Sequence, residues 1–269
     1  MQSHAPIGVF DSGSGGLTVA RQLHKILPGE NILYVGDMKR MPYGPREPQE
    51  IIKFMGQFLN FFTTKKVKLA IFACNTMTSW GYEKAIGNTV YPLVPMSTAV
   101  AEAAALSPHK TIGVIATEAT VKKRFHADMA AKIDKDIRIY AVACPQFVTL
   151  IESGHINDLV LEKAAAYYMQ NFTGKNIESL ILGCTHYPII KDILSKHIEV
   201  GIKLIDPAVS TIEKAVSVMQ KNNMLNPAKT GGRMEFFFSS EPDHAAHMVK
   251  IVMGIDNPFI NNIDLERFN

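Results

Sequence analysis

The feature that most restricts the fold is a set of short, nearly continuous apolar runs, each followed by a stretch with helical spacing. "IGVFDSG" (7–13) enters a Gly-rich turn, and "LTVARQLHKIL" (17–27) follows at helical period until Pro28-Gly29 stops it. "NILYVGD" (31–37), "LAIFAC" (69–74), "TIGVIAT" (111–117), "IRIYAVAC" (137–144) and "SLILGC" (179–184) read as further strands with helical segments between them. "MPYGPREP" (41–48) reads as a loop, with an amphipathic helix after it. Strands apolar on both faces and separated by helices form parallel sheets covered on both sides, so the fold class is α/β.

The pattern occurs twice. "IGVFDSGSGG" begins at Ile7 and "IGVIATEAT" at Ile112, an offset of 105, while "FACNT" and "LGCTH" place Cys74 and Cys184 at an offset of 110. This predicts two pseudo-symmetric, doubly wound parallel-sheet domains. The first is 1–96 plus 208–269, completed by the strand-helix unit "MEFFFSS" and "DHAAHMVKIVMG"; the second is 97–207. The active site is expected in the interdomain cleft, because such sheets place ligands at the carboxyl ends of their strands.

Composition removes several function classes. The 28 basic and 25 acidic residues leave a net charge of +3 with no basic block, which argues against nucleic acid. No apolar run reaches the ~18 residues of a membrane span, and the N-terminus "MQSHAPIGVF" lacks the charged and apolar regions of a signal peptide. Three widely spaced cysteines without a CxxC pair fit free thiols in a reducing cytoplasm.

The chemistry lies at the strand ends. Cys74 and Cys184 on opposite walls of one cleft could remove a proton from one face of a carbon and return one to the other, inverting a stereocentre without metal or cofactor. Cysteine suits the task because its reference pKa near ~8.5 leaves some thiolate at neutral pH. Asp11 and His186 stand close in sequence to strand ends and could serve as neighbouring bases. Asp11 alone could equally be a helix cap. Cys144, in "ACPQF", lacks polar companions and reads as a small buried hydrophobe. Zinc lacks enough clustered Cys and His, and "DSGSGG" lacks both the Lys of a phosphate loop and the GxGxxG spacing. Its backbone N–H groups and Ser12 are expected to face a carboxylate.

Taken together, "IGVFDSGSGGLTV", "PYG" at 42–44, "ACNT" at 73–76, "IGVIATEAT", "ACPQFVTLIESG" and "LILGCTHYP" resemble the glutamate racemases of the cofactor-independent aspartate/glutamate racemase superfamily, over nearly the whole chain. The resemblance implies interconversion of L- and D-glutamate, with the product used for peptidoglycan. It implies Cys74 and Cys184 as catalytic acid/bases, Cys74 acting on D-glutamate and Cys184 on L-glutamate. Asp11 and His186 match groups that assist them, and Glu152 a carboxylate behind the histidine. Ser12, Tyr43, Gly44, Asn75, Thr76 and Thr185 match substrate contacts, with Asp11 and His186 lining the same site. No cofactor is expected, the partner is the small-molecule substrate, and family members often form homodimers. Met77 to Trp80 depart from the small residues usual after "CNT". Competing readings are an aspartate or broad-specificity racemase of the superfamily, a non-catalytic amino-acid-binding protein, and a redox-sensing thiol protein.

Overall fold

The computed structural model describes residues 3–269. Along the chain β1 (Ile7–Asp11), α1 (Leu17–Ile26), β2 (Ile32–Gly36), α2 (Pro48–Thr64), β3 (Leu69–Phe72), α3 (Asn75–Ala85) and β4 (Leu93–Val94) come first. Next are α4 (Val100–Ala105), β5 (Thr111–Ala116), α5 (Glu118–Lys122), α6 (Phe125–Ile133), β6 (Arg138–Ala143), α7 (Pro145–Glu152), α8 (Leu159–Met169), β7 (Ser179–Gly183), α9 (Lys191–Lys196) and β8 (Lys203–Ile205). The chain closes with α10 (Ala208–Lys221), β9 (Met234–Phe238), α11 (Pro242–Met253) and β10 (Ile260–Asn262). Packing divides it into two compact units, one of residues up to Met96 together with Ala208–Asn269, the other of Ser97–Pro207.

Each unit holds one parallel sheet. The first has strand order β10-β9-β2-β1-β3-β4 and the second β6-β5-β7-β8. The offsets in the sequence reappear as register. Ile7 stands opposite Ile32 and Leu69 in the first sheet, and Ile112 opposite Ile139 and Ser179 in the second. Even the bonds beyond the strands recur. The Asp37 N–H donates to Asp11 O at 3.1 Å as Cys144 N–H donates to Ala116 O at 2.9 Å. The Lys68 N–H reaches Pro6 O as Glu178 N–H reaches Thr111 O, both at 2.9 Å.

The apolar runs become strands because both faces are covered. All five residues of β1 are buried. α2 starts where the sequence marks it, with Pro48 in its first turn and a capping box between Glu47 and Glu50. It lays Phe58 and Phe62 against Phe10, with ring centroids 5.1 and 5.7 Å apart, and Phe72 completes the group at 4.6 Å. Each buried Phe contributes roughly 1.5–3 kcal/mol. Gly8 is required here, since a Cβ would lie 2.8 Å from the Phe62 ring; its counterpart Gly113 likewise leaves room for Ile177, at 2.6 Å. In the second unit Val100, Ala103, Ile112, Val114, Ala130 and Ile181 form one apolar cluster.

Two features depart from the sequence reading. β6 is the sheet's edge, so its side chains are exposed or half-buried although it reads as a buried strand. β4, β8 and β10 are two or three residues long, too short for any periodicity to mark them. At the opposite end of the first sheet, Lys68 is wholly buried. Its ammonium pairs with Glu30 and donates to Ser3 O at 2.5 Å and Met224 O at 2.9 Å, while Glu30 accepts the Asn226 N–H at 2.7 Å. This buried pair ties the first strands to the returning tail.

Candidate active site

In the first unit the polar residues gather at the carboxyl ends of β1 and β3. Asp11 ends β1 and is fully buried. Its carboxylate accepts the backbone N–H of Ser12 at 2.6 Å, the N–H of Gly16, and the Ser12 hydroxyl at 3.3 Å. Backbone donors of this kind favour the charged carboxylate. Gly16 permits the approach, since a Cβ there would lie 2.6 Å from the Asp11 Cβ and 3.0 Å from the Ala73 Cβ. The "DSGSGG" turn thus bends back on Asp11 through the Ser12 and Gly16 N–H groups.

Cys74 follows β3 and caps α3, its sulfur accepting the Met77 N–H at 3.5 Å. The same thiol lies 3.8 Å from the Ser12 hydroxyl. Asp11, Ser12 and Cys74 thus form a row, with the hydroxyl between carboxylate and sulfur. The positive end of α3 also faces the sulfur. Asn75 is buried, and neither its amide nitrogen nor its amide oxygen has a partner among the described residues. Orphan polar atoms of this kind are what a polar ligand would satisfy. Thr76 is buried beside it. Met77 and Trp80 turn the other way, into the core formed with Phe10, Phe58 and Phe72. Between them Thr78 and Ser79 are buried and bonded to backbone, Thr78 accepting the Met96 N–H at 3.2 Å and Ser79 donating to Thr76 O at 2.9 Å.

In the second unit the corresponding strand end carries different chemistry. Cys184 follows β7, with its sulfur 3.8 Å from His186 Nδ1. His186 Nε2 lies 2.7 Å from Glu152 Oε1, at the last residue of α7. Burial by itself lowers the His186 pKa, but hydrogen bonds to Cys184 and Glu152 and the charge of Glu152 outweigh it and hold His186 well above the usual histidine value. Thr185 is buried between Cys184 and His186. Gly183 is needed before the thiol, since a Cβ there would meet Ile115 O at 2.8 Å.

Cys144 sits apart from this chemistry. It is fully buried, and burial, with a contribution from Cys184, pushes its thiol far up. That fits a small hydrophobe.

The sequence-predicted residues therefore fall into two groups. Asp11, Ser12, Tyr43, Gly44, Cys74, Asn75 and Thr76 lie in the first unit, and Glu152, Cys184, Thr185 and His186 in the second. Two further residues escaped the sequence reading. Thr117 stands at Ser12's register position in the second unit, its hydroxyl 3.0 Å from that of Thr120; the offset of 105 was the signal. Asp37 ends the "NILYVGD" run and binds Tyr43, a contact no local pattern announces. Among the described residues no group of three His, Cys, Asp or Glu side chains is arranged to hold a metal ion, and no helix is long and apolar enough to cross a membrane.

Comparison with known proteins gives a consistent picture. A family described as Asp/Glu/Hydantoin racemase matches residues 7–215. The chain is 41% identical to glutamate racemase 2 of Caldanaerobacter subterraneus subsp. tengcongensis over 266 residues, 98% of each chain. The crystal structure of glutamate racemase from Francisella tularensis in complex with D-glutamate superposes with a TM-score of 0.90 at 34% identity, covering 98% of this chain and 99% of that one. The glutamate racemase from Thermus thermophilus in complex with beta-chloro-D-alanine gives a TM-score of 0.86 at 31% identity, covering 99% of each chain.

Proposed function

Because the chain belongs to the Asp/Glu/hydantoin racemase family, we propose that it is a glutamate racemase, interconverting L- and D-glutamate by proton transfer through two cysteines. The observation that carries the reading is that the corresponding strands β3 and β7 are each followed by a cysteine, at matching register. One thiolate takes the α-proton from one face of the substrate, and the opposite thiol delivers its proton to the other. Two acid/bases are required, because a single one returns the proton to the face it came from.

His186 acts beside Cys184. Held as an imidazolium by Glu152, it attracts the negative charge that forms on the sulfur 3.8 Å away. Cys74 has no imidazole. Its negative charge faces the Met77 N–H at the positive end of α3, while the protonated thiol donates to the Ser12 hydroxyl, which donates in turn to Asp11. The buried amide of Asn75, the Thr76 and Thr185 hydroxyls, and the Tyr43-Gly44 segment hold the substrate's ammonium and carboxylates. Neutral donors toward the carboxylates and neutral acceptors toward the ammonium do this without drawing the thiolates into ion pairs. The expected setting is cytoplasmic, supplying D-glutamate for peptidoglycan, and the expected assembly is a homodimer.

The test is circular dichroism of L- and D-glutamate incubated separately with purified protein and no added cofactor. Both samples are expected to decay to zero ellipticity. An unchanged glutamate signal alongside racemised aspartate would replace the substrate, and no racemisation of either would overturn the reading.

A further inference from the structure

The Tyr43 side chain is buried and turned into the body of the first unit. Its ring packs on Phe54 at 5.3 Å, and its hydroxyl donates to the Asp37 carboxylate. Burial, together with the adjacent Asp37 charge, holds the phenol's pKa well above its usual value, so it stays protonated. Its single proton is therefore committed, and a hydroxyl without a free proton cannot donate to a substrate carboxylate. What this loop can offer an anion is backbone. Neither the Tyr43 nor the Gly44 N–H is bonded to a backbone carbonyl among the described residues, while the Tyr43 carbonyl accepts the Arg46 N–H at 3.1 Å.

Asp37 itself is fully buried and collects three donors, two from the segment that follows it and one from beyond β9. Arg40 Nε donates at 2.6 Å, Ser239 beyond β9 donates at 2.7 Å, and Tyr43 completes the set. The cage is braced further. The Arg40 guanidinium lies 4.0 Å over the Phe54 ring and donates to Gln57 on α2 at 2.6 Å. Arg46 donates to Arg40 O at 2.9 Å, and the Lys39 N–H donates to Ser239 Oγ at 2.9 Å. Two side chains of the segment after β2 and one from beyond β9 thus converge on one carboxylate, and the loop they fix is the one that carries Tyr43 and Gly44.

We propose that Asp37 is a positioning residue for the reaction: with Arg40 and Ser239 it clamps the Tyr43 hydroxyl, so that the Tyr43-Gly44 segment presents backbone N–H groups, and not the phenol, to a carboxylate of the substrate. The clamp rests on the glutamate racemase reading for its substrate but not for its geometry. A fixed pair of N–H groups is pre-organised for an anion and pays little ordering cost on binding. It grips substrate and transition state alike, so loosening it raises KM and leaves kcat nearly unchanged.

The test compares Tyr43→Phe, Asp37→Asn and the double variant, each assayed well below its unfolding midpoint. Each single variant is expected to raise KM for both enantiomers about tenfold, with kcat within about threefold of the wild type. The double variant is expected to be no worse than the worse single one, because both break the same bond. Hydrogen exchange of segment 38–47 is expected to accelerate in both singles without substrate. Should Asp37→Asn fail to fold, Ser239→Ala takes its place, with a smaller rise of about threefold. A KM that rises for Tyr43→Phe alone, or effects that multiply in the double variant, would place the phenol on the substrate and overturn the proposal. Unchanged exchange in segment 38–47 would overturn it as well. A wild type that does not racemise glutamate would remove the functional reading and leave the clamp to be judged by the exchange measurement.

Discussion

The two units set the same ladder under different chemistry. β1 and β3 in the first correspond in register to β5 and β7 in the second, and each third strand is followed by a cysteine. Around that shared thiol the helpers change place. The first unit draws its carboxylate from the end of β1, at Asp11, where the second has Ala116. The second draws its imidazole from His186, two residues past the thiol, where the first has Thr76. Asp37, which clamps Tyr43, corresponds to Cys144, a buried thiol with its pKa pushed up. The duplicated frame repeats the position of the thiol and leaves open which residues surround it.

The strongest way to break this comparison is to remove either thiol. Cys74→Ser and Cys184→Ser should each lower racemisation more than about 10³-fold, in the upper range for one general acid/base, because serine is a far weaker acid. Enantiomers have equal free energies, so kcat/KM is the same in both directions for every variant and cannot display the asymmetry. Exchange of the α-proton in D₂O can. Cys74→Ser should exchange only L-glutamate and Cys184→Ser only D-glutamate; near-wild-type racemisation in either variant would end the two-thiol account.

The second contrast lies at the opposite end of the sheets. Lys68 and Glu178 are counterparts, but Lys68 is buried with Glu30 while Glu178 accepts from the exposed His109. Lys68→Met should cost about 3–5 kcal/mol by stranding the Glu30 charge, whereas Glu178→Gln should cost less than about 1 kcal/mol. Denaturant unfolding measures both, and equal losses would refute the distinction.

A third difference concerns acid. His126 on α6 is buried close to Gly183, and desolvation lowers its pKa to about 4. Its Nε2 has no partner among the described residues. The unfolded chain therefore binds the proton first, and stability is full above the ordinary histidine pKa and lost as pH falls toward the folded value. Between pH 7 and pH 5 the wild type should lose about 2 kcal/mol more than His126→Gln, read from unfolding midpoints at the two pH values. Parallel losses in the two proteins would remove His126 from the account.

The mildest probe is Glu152→Gln. It should lower kcat about tenfold in the direction that uses Cys184 as base, the worth of one hydrogen bond to a charged group. Without the carboxylate, His186 loses its proton at lower pH, so the alkaline limb of that kcat profile should move to lower pH. A limb that stays in place would show that Glu152 does not sustain the imidazolium.

The sequence carried much of this frame, for a physical reason. A parallel strand covered on both faces must be apolar throughout, so β1, β2, β3, β5 and β7 stand out as runs bounded by polar turns. The thiols were legible because an apolar run that ends in Cys-Asn-Thr or Cys-Thr-His breaks its own rule. Glu152 was not visible from residues alone, since it meets His186 across 34 positions, and only the family resemblance marked it. Asp37 was hidden because its near partners Arg40 and Tyr43 follow no recognisable pattern and its third, Ser239, lies 202 positions away. β10 escaped because three residues of edge strand have no period to read.

The pairing of β2 with β9 has a consequence for how the molecule is made. Ile32 stands beside Met234, so the first sheet closes only after the whole of the second unit has been synthesised. Unit 97–207 is continuous in the chain and its four strands pair among themselves, so it can fold as it leaves the ribosome. Until β9 arrives, β2 waits as an open apolar edge, the surface most prone to pairing with another chain. Such long-range closure is slow because loop entropy is spent before the contacts form. The first unit, although translated first, is therefore the last to be finished, and the strand end beside Cys74 is completed after the one beside Cys184.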